Sequence, residues 1–323
     1  SSISNLFENL GITVSKERIS FVAELIQKGI PFDKKQLMNA VPFADLIKKE
    51  PEIQNILEEM ILRKLPINRT VFESIYTYKT NDQSTLMREM LRQIDLIGEA
   101  NSEIHKMFQE LISKSISAQP KNAFLHLVHK YLTTSGLDYE NQLAKGELPQ
   151  QNLKVMLLNI FKKNVNSEVK ILGEKILHYM NGMKIASVDN LDSYLHIHFK
   201  IPGTGLGLTQ DIELHFESRK KENNEIDPDY CRILLFLNLE NIHDTFVDMN
   251  IQSRTVSITI YNDTDTIKHK AKSYLTPLKK GLLNLNYQLS SISFLPLEKR
   301  RTNKVAYEDV VSPVKYRGVD YQV

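Results

Sequence analysis

Tyr230-Cys-Arg-Ile-Leu-Leu-Phe-Leu-Asn-Leu239, Asn241-Ile-His-Asp-Thr-Phe-Val-Asp-Met-Asn-Ile251, Thr255-Val-Ser-Ile-Thr-Ile-Tyr261, a helical run from Thr264 to Leu285, and Tyr287-Gln-Leu-Ser-Ser-Ile-Ser-Phe-Leu295 decide the fold of this chain. In the first segment Ile233, Leu235, Leu237 and Leu239 alternate with Arg232, Leu234, Phe236 and Asn238. That strand is apolar on nearly both faces, which places it centrally in a sheet. Residues 255–260 alternate strictly, as a strand buried on one face does. Ser253-Arg254 is a two-residue turn between its neighbours, without the glycine or asparagine of a strong hairpin signal. In the helical run Ile267, Ala271, Leu275, Leu278, Leu282 and Leu285 fall on one face. Asp263 is the expected N-cap, and Pro277 predicts a kink or break. The apolar stripe needs a sheet to lie on, and the preceding strands supply it.

The stretch Leu237-Asn-Leu-Glu-Asn-Ile-His-Asp-Thr-Phe-Val-Asp-Met-Asn-Ile251, the alternating strand after it, and the helix end Leu282-Leu-Asn-Leu-Asn-Tyr287 resemble the C-terminal domain of flagellar hook-length control proteins. The leucines, Asn241, Ile242, Val247 and Met249 fit that family's pattern. Glu240 stands where the family favours proline and His243 where it favours glycine. A glycine there supplies a positive φ, so the substitution bears on the turn's geometry. The likeness covers the C-terminal third and is closest to a branch with a helical N-terminal region and a short basic tail.

Upstream the period changes. Gly11-Ile-Thr-Val-Ser-Lys-Glu-Arg-Ile19, Gly29-Ile-Pro-Phe-Asp-Lys-Lys-Gln-Leu37 and Leu65-Pro-Ile-Asn-Arg-Thr-Val-Phe72 repeat one device: each ends a helix and starts the next. Ser15, Asp33 and Asn68 are N-cap residue types. Val14, Phe32 and Ile67 precede them as hydrophobic staples, and Gly11 and Gly29 suit helix C-termini. Helical patterns continue over 82–97, 103–113, 123–132 and 150–179. The expected fold class is α then α+β: an N-terminal array of short helices, then a small mixed sheet packed with one long amphipathic helix. The domains expected are a helical array at 1–181, an α+β domain at 182–297, and a basic, exposed tail at 298–323. The boundary is drawn at Asn181-Gly182, with strands at 183–187, 193–202 and 211–218 and a terminal strand at 319–323.

Composition narrows the function classes. A chain of 323 residues with 41% hydrophobic and 25% charged residues has the make-up of about two globular domains. Net charge is +2, so no global field draws nucleic acid or membrane. Cys231 is the single cysteine, which excludes an intrachain disulfide and fits a reducing cytosol. No run of about 18 apolar residues and no secretory-signal layout is present, so direct membrane insertion is not expected.

Motifs that invite chemistry have plainer readings. Pro202-Gly-Thr-Gly-Leu-Gly207 looks like a phosphate loop, but a strand follows it and no Lys-Ser/Thr pair completes it. It reads as a strand connection. His196 and His198 share one strand face at metal-competent spacing, and His215 on the next strand is a third ligand candidate. The competing reading is a solvated polar face with Asp211, Glu213 and Glu217. Lys299-Arg300-Arg301 has no interleaved aromatics and reads as a solvated tail. No nucleophile elbow appears. The chain therefore reads as non-enzymatic, with no catalytic residue, cofactor, resident metal, nucleic acid or small-molecule substrate expected.

The resemblance implies the rest: a cytoplasmic protein, or one passed through a type III apparatus, that binds the cytoplasmic domain of an export-gate component and switches export specificity. The partner-binding positions it implies are Leu239, Asn241, Ile242, His243, Val247 and Met249, with Val256 and Ile258 on the adjoining strand. Most of these also read as core, which leaves the solvent-facing Asn241 and His243 as the sharper tests. Two rivals stand beside this: a helical adaptor carrying a diverged family domain, and a metal-binding protein using His196, His198 and His215.

Overall fold

A computed structural model describes residues 2–99, 102–113, 120–136, 143–146, 152–162, 166–187, 194–222 and 226–300. The class is the one expected, helices first and then a mixed sheet with a helix upon it. The described chain forms two compact units, 2–79 and 80–300.

The first unit holds α1 (Ser2–Leu10), α2 (Lys16–Gln27), α3 (Lys34–Ala44), α4 (Glu52–Leu62) and α5 (Arg69–Thr80). Its starts and stops are written locally. Ser15, Asp33 and Asn68 each accept the backbone N–H three residues on, at 3.2, 2.7 and 3.0 Å. Asp33 and Gln36 complete a capping box. Gly11 and Gly29 turn left-handed (φ +66° and +65°), and the next residue's N–H returns to Phe7 and Leu25 carbonyls at 2.9 Å. The third copy does the same without glycine: Lys64 takes φ +54°, and Leu65 N–H reaches Met60 O at 2.9 Å. Phe7, Phe21, Leu25, Leu37, Ile56, Leu57 and Met60 are fully buried at the resulting helix contacts. Each such side chain contributes about 1.5–3 kcal/mol. Of the three expected staples Ile67 is buried, whereas Val14 stays half exposed.

The second unit begins with α6 (Gln83–Leu96), α7 (Glu103–Ile112), α8 (Pro120–Ser135), α9 (Leu153–Lys162) and α10 (Ser167–Ser187). The boundary expected at 181/182 falls inside α10, and 183–187 is its last turn rather than a strand. Gly182 and Met183 are buried where α10 packs on α6 and the first strand. That packing outweighs the roughly 1 kcal/mol cost of a mid-helix glycine. Helices α6–α10 thus belong with the sheet, not with an array running from residue 1.

The sheet is a meander. β1 (Tyr194–Ile201), β2 (Ile212–Lys220), β3 (Ile226–Leu239), β4 (His243–Gln252) and β5 (Thr255–Tyr261) pair antiparallel in chain order, with β3 third of six as its two apolar faces predict. Helix α11 (Ile267–Asn284) then crosses over so that β6 (Gln288–Leu295) runs parallel to β5. The 203–207 segment is a short 3-10 turn joining β1 to β2, not a phosphate cradle. A Cβ on Gly203 would meet the Gln210 carbonyl at 2.1 Å. One sheet face carries the core: Ile251, Val256 and Ile258, with Val247, Met249, Ile260 and the α11 residues Leu278 and Leu282 packed on it. Cys231 packs on the same cluster.

One local expectation for α11 fails for an identifiable reason. Asp263 does not cap the helix, which starts at Ile267 after Thr266. Its carboxylate instead accepts Leu297 N–H at 2.8 Å, tying down the end of β6. The helix does not break at Pro277. Pro277 lies on the exposed side, where water solvates the carbonyl its missing N–H leaves free. The 298–323 tail lies outside the described residues except 298–300, which close a short helical turn.

Candidate functional site

Three features of the sheet unit combine defined geometry with side chains that chemistry or recognition can use. The first is the β3–β4 turn. Ile242 N–H closes on Leu239 O at 3.3 Å, and His243 follows in the left-handed conformation (φ +56°) while pairing back to Leu239. This is a turn followed by one left-handed residue, a conformation that favours glycine. A histidine holds it at a cost of about 1–2 kcal/mol. The Asn262 amide, just past β5, offsets that cost. It lies 2.7 Å from Ile242 O, 3.0 Å from Asp244 O and 2.8 Å from Thr245 Oγ1. Asn262 is itself fixed: its N–H donates to Leu295 O at 2.9 Å and its Oδ1 accepts Thr264 N–H at 2.8 Å. Glu240, Asn241, His243 and Asp244 are exposed on this clamped loop, and Ile242 is half-buried.

The other expected partner residues lie elsewhere. Val256 and Ile258 are buried core, and Val247 and Met249 pack against them under α11. Leu239 is half-buried at the end of the ladder. Val256 and Ile258 are closed to a partner while α11 lies on the sheet. The solvent-facing pair Asn241 and His243 is what the turn presents.

The opposite hairpin, at 253–254, is also left-handed at both positions (φ +48° and +65°) without a glycine. Asp229 supports it, accepting Ser253 N–H at 2.7 Å on its carbonyl and pairing with Arg254 through its carboxylate. Arg254 also lies over the Tyr287 ring.

The second feature is the polar face of the sheet. Rings form a ladder across five strands: His198–His215 (3.8 Å between centroids), His215–Phe236 (5.4 Å), Phe236–Phe246 (4.5 Å) and Phe246–Tyr261 (5.4 Å). Arg300 lies over Phe236 and Phe246 at 4.2 and 4.1 Å. Beside the ladder Arg232 pairs in fork geometry with Asp248 at 3.0 and 2.7 Å. At its β1 end Glu213 Oε1 lies 3.0 Å from His198 Nε2 and 2.7 Å from His215 Nε2. Burial opposes ionisation of Glu213, but the hydrogen bonds from the two histidines outweigh it and hold the carboxyl far below its ordinary range. Burial pushes His198 below its ordinary value, against the pull of Glu213. His196 is not part of this group: it faces Glu217, with Nδ1 3.7 Å from Oε1. Of the three histidines in the rival metal-binding reading, the structure gathers two. The third member, Glu213, was read only as a polar-face residue, although its place two residues before His215 puts it on that face.

The third feature joins the helical layer to the sheet. Asp211 accepts Gln83 N–H (2.7 Å), Ser84 N–H (3.1 Å), Ser84 Oγ–H (2.6 Å) and Tyr179 O–H (3.4 Å) at the N-terminus of α6. Burial and the neighbouring Asp82 carboxylate push its carboxyl up to about 6. This is structural chemistry, seating α6 on the β1–β2 connection.

Among the described residues no helix is long and apolar enough to cross a membrane. The chain matches no protein-family model and no solved structure. Over 220 residues, 67% of its length, it is 24% identical to "Uncharacterized protein YlqG" of Bacillus subtilis (strain 168). Those residues amount to 35% of that protein, so the chain spans about a third of the length of the curated relative it matches.

Proposed function

We propose that this chain is a non-enzymatic regulatory protein of the hook-length control kind. It acts in the cytoplasm by docking on the cytoplasmic domain of a flagellar-type export-gate component and so switching which substrates are exported. The observation that carries this reading is the β3–β4 turn. His243 occupies the position where the family pattern favours glycine, and it adopts the positive φ that such a glycine supplies. The loop is rigidly clamped by Asn262 and offers Asn241 and His243 to solvent. A pre-ordered loop loses little freedom on binding, which favours recognition. The physical act is then selection of one conformation of the gate component by differential affinity.

The test is binding of the full chain to purified export-gate cytoplasmic domain, measured by interferometry. The full chain is used because α6–α10 share a compact unit with the sheet. Saturable binding that is lost in a folded N241D/H243D variant supports the reading. Absence of binding to any flagellar-type gate domain, with the chain shown folded by circular dichroism, overturns it.

A further inference from the structure

His198 on β1 and His215 on β2 are direct cross-strand partners, and Glu213 sits two residues before His215 on the same face. One ligand atom from each of the three lies within 4.8 Å of the others. The two rings stack at 3.8 Å, with both Nε2 atoms directed at the same carboxylate oxygen. Their side chains are 20%, 16% and 31% exposed for His198, His215 and Glu213, so they are partly sheltered yet open to a small ion.

The geometry points to a zinc site at His198, Glu213 and His215, pinning β1 to β2 on the polar face of the sheet. Two imidazole nitrogens and one carboxylate oxygen are a three-ligand zinc set, with a fourth position left for water or another donor. Zinc bonds of about 2.0–2.2 Å put tetrahedral neighbours roughly 3.3–3.5 Å apart. The Glu213–histidine separations of 3.0 and 2.7 Å need only open by about half an ångström to admit the ion. An imidazole that carries its proton on Nδ1 presents an Nε2 lone pair to a metal.

The donor set selects the metal. Imidazole suits zinc and its transition-metal neighbours, whereas calcium and magnesium take oxygen ligands. A single carboxylate facing Lys200 across the ladder also leaves too little negative charge for a hard dication. The neighbouring His196–Glu217 pair supplies an internal control. It has the same residue types on the same two strands, but lies outside the gathered group. The site is independent of the docking function proposed above, since it lies on β1 and β2 rather than on the β3–β4 turn.

The test is zinc uptake by the full-length chain, stripped with chelator and freed of any affinity tag, followed by calorimetry and by the visible spectrum of the Co2+ form. One zinc per chain, no response to Mg2+ and a tetrahedral Co2+ band are expected. Loss of an outer-sphere partner costs metal sites about 10–100-fold in affinity, so H198A, H215A and E213Q should each lose at least that much. H196A should bind as the unaltered chain does. E213Q keeps the size of the side chain and guards against a histidine variant that merely unfolds, with circular dichroism as the check. No saturable uptake by the folded chain, or uptake that survives both E213Q and H198A, overturns the site.

Discussion

The side-chain amide of Asn262 lies 2.7 Å from the carbonyl oxygen of Ile242, twenty residues earlier in the chain. Through that contact the end of β5 determines the shape of the loop between β3 and β4. Replacing Asn262 with Ala should cost about 1–3 kcal/mol, because the Ile242 and Asp244 carbonyls lose the donor that fixes the loop. Asn262→Asp should cost more, because a carboxylate would face carbonyl oxygens. Urea unfolding midpoints of the three chains order the effects, and a midpoint unchanged by Asn262→Ala would show that the clamp is not needed.

His243 holds φ +56°, a conformation that favours glycine and penalises β-branching. Stability should therefore run His243→Gly, then His243, then His243→Val. The valine variant is expected to fall by about 1–2 kcal/mol. Thermal unfolding of the three proteins reads the ranking directly.

Glu59 sits between two cations, with Lys79 Nζ at 2.6 Å and Arg63 Nη1 at 2.8 Å. Burial raises its pKa, but Lys79 and Arg63 together outweigh that and lower it below 4.5. A depressed folded value means that the stabilisation is complete above the unfolded pKa and disappears as pH falls through the folded one. At pH 7 Glu59→Gln should cost about 1–2 kcal/mol, a figure suited to a charged hydrogen bond that stays partly exposed. As pH falls through that lowered value the variant and the unaltered chain should converge. Denaturant titrations at a series of pH values provide the measurement, and a gap that persists at low pH would contradict the pairing.

Phe246 is the ring against which Phe236, Tyr261 and Arg300 all lie. Phe246→Ala should cost about 3–5 kcal/mol, and Phe246→Leu much less, since leucine refills most of the volume. Chemical denaturation of the two variants separates lost volume from lost ring stacking.

The residues that announced themselves were those whose period is set by a single neighbour layer. The alternation in 230–261 and the four-and-three spacing after Thr264 led directly to β3, β4, β5 and α11. Ser15, Asp33 and Asn68 were readable because a cap bonds only three residues along the chain. What was hidden depends on distant partners. Asn181-Gly182 looks like a helix stop, and only contact with α6 and β1 carries the helix through it. Asp263 looks like a cap, yet its acceptor role goes to Leu297, thirty-four residues away. At the candidate sites, His198 and His215 were visible as face partners. Glu213 required the β1–β2 register before its carboxylate could be placed between them. Val256 and Ile258 fit the family pattern because they are core, which is why pattern alone could not separate them from contact residues.

The strand order of the sheet has a consequence for the chain as it leaves the ribosome. Because β1 to β6 are neighbours in the order they are synthesised, every strand after β1 finds a pairing partner already made. From β1 to β5 the ladder can grow from one end by closing short connections, which keeps entropic barriers low. The β3–β4 loop waits on something downstream, remaining unlocked until Asn262 emerges and β5 docks. The surface proposed to meet the export gate is therefore the last part of the hairpin to become rigid during translation, so a nascent chain paused before Asn262 would carry the strands but not the recognition loop.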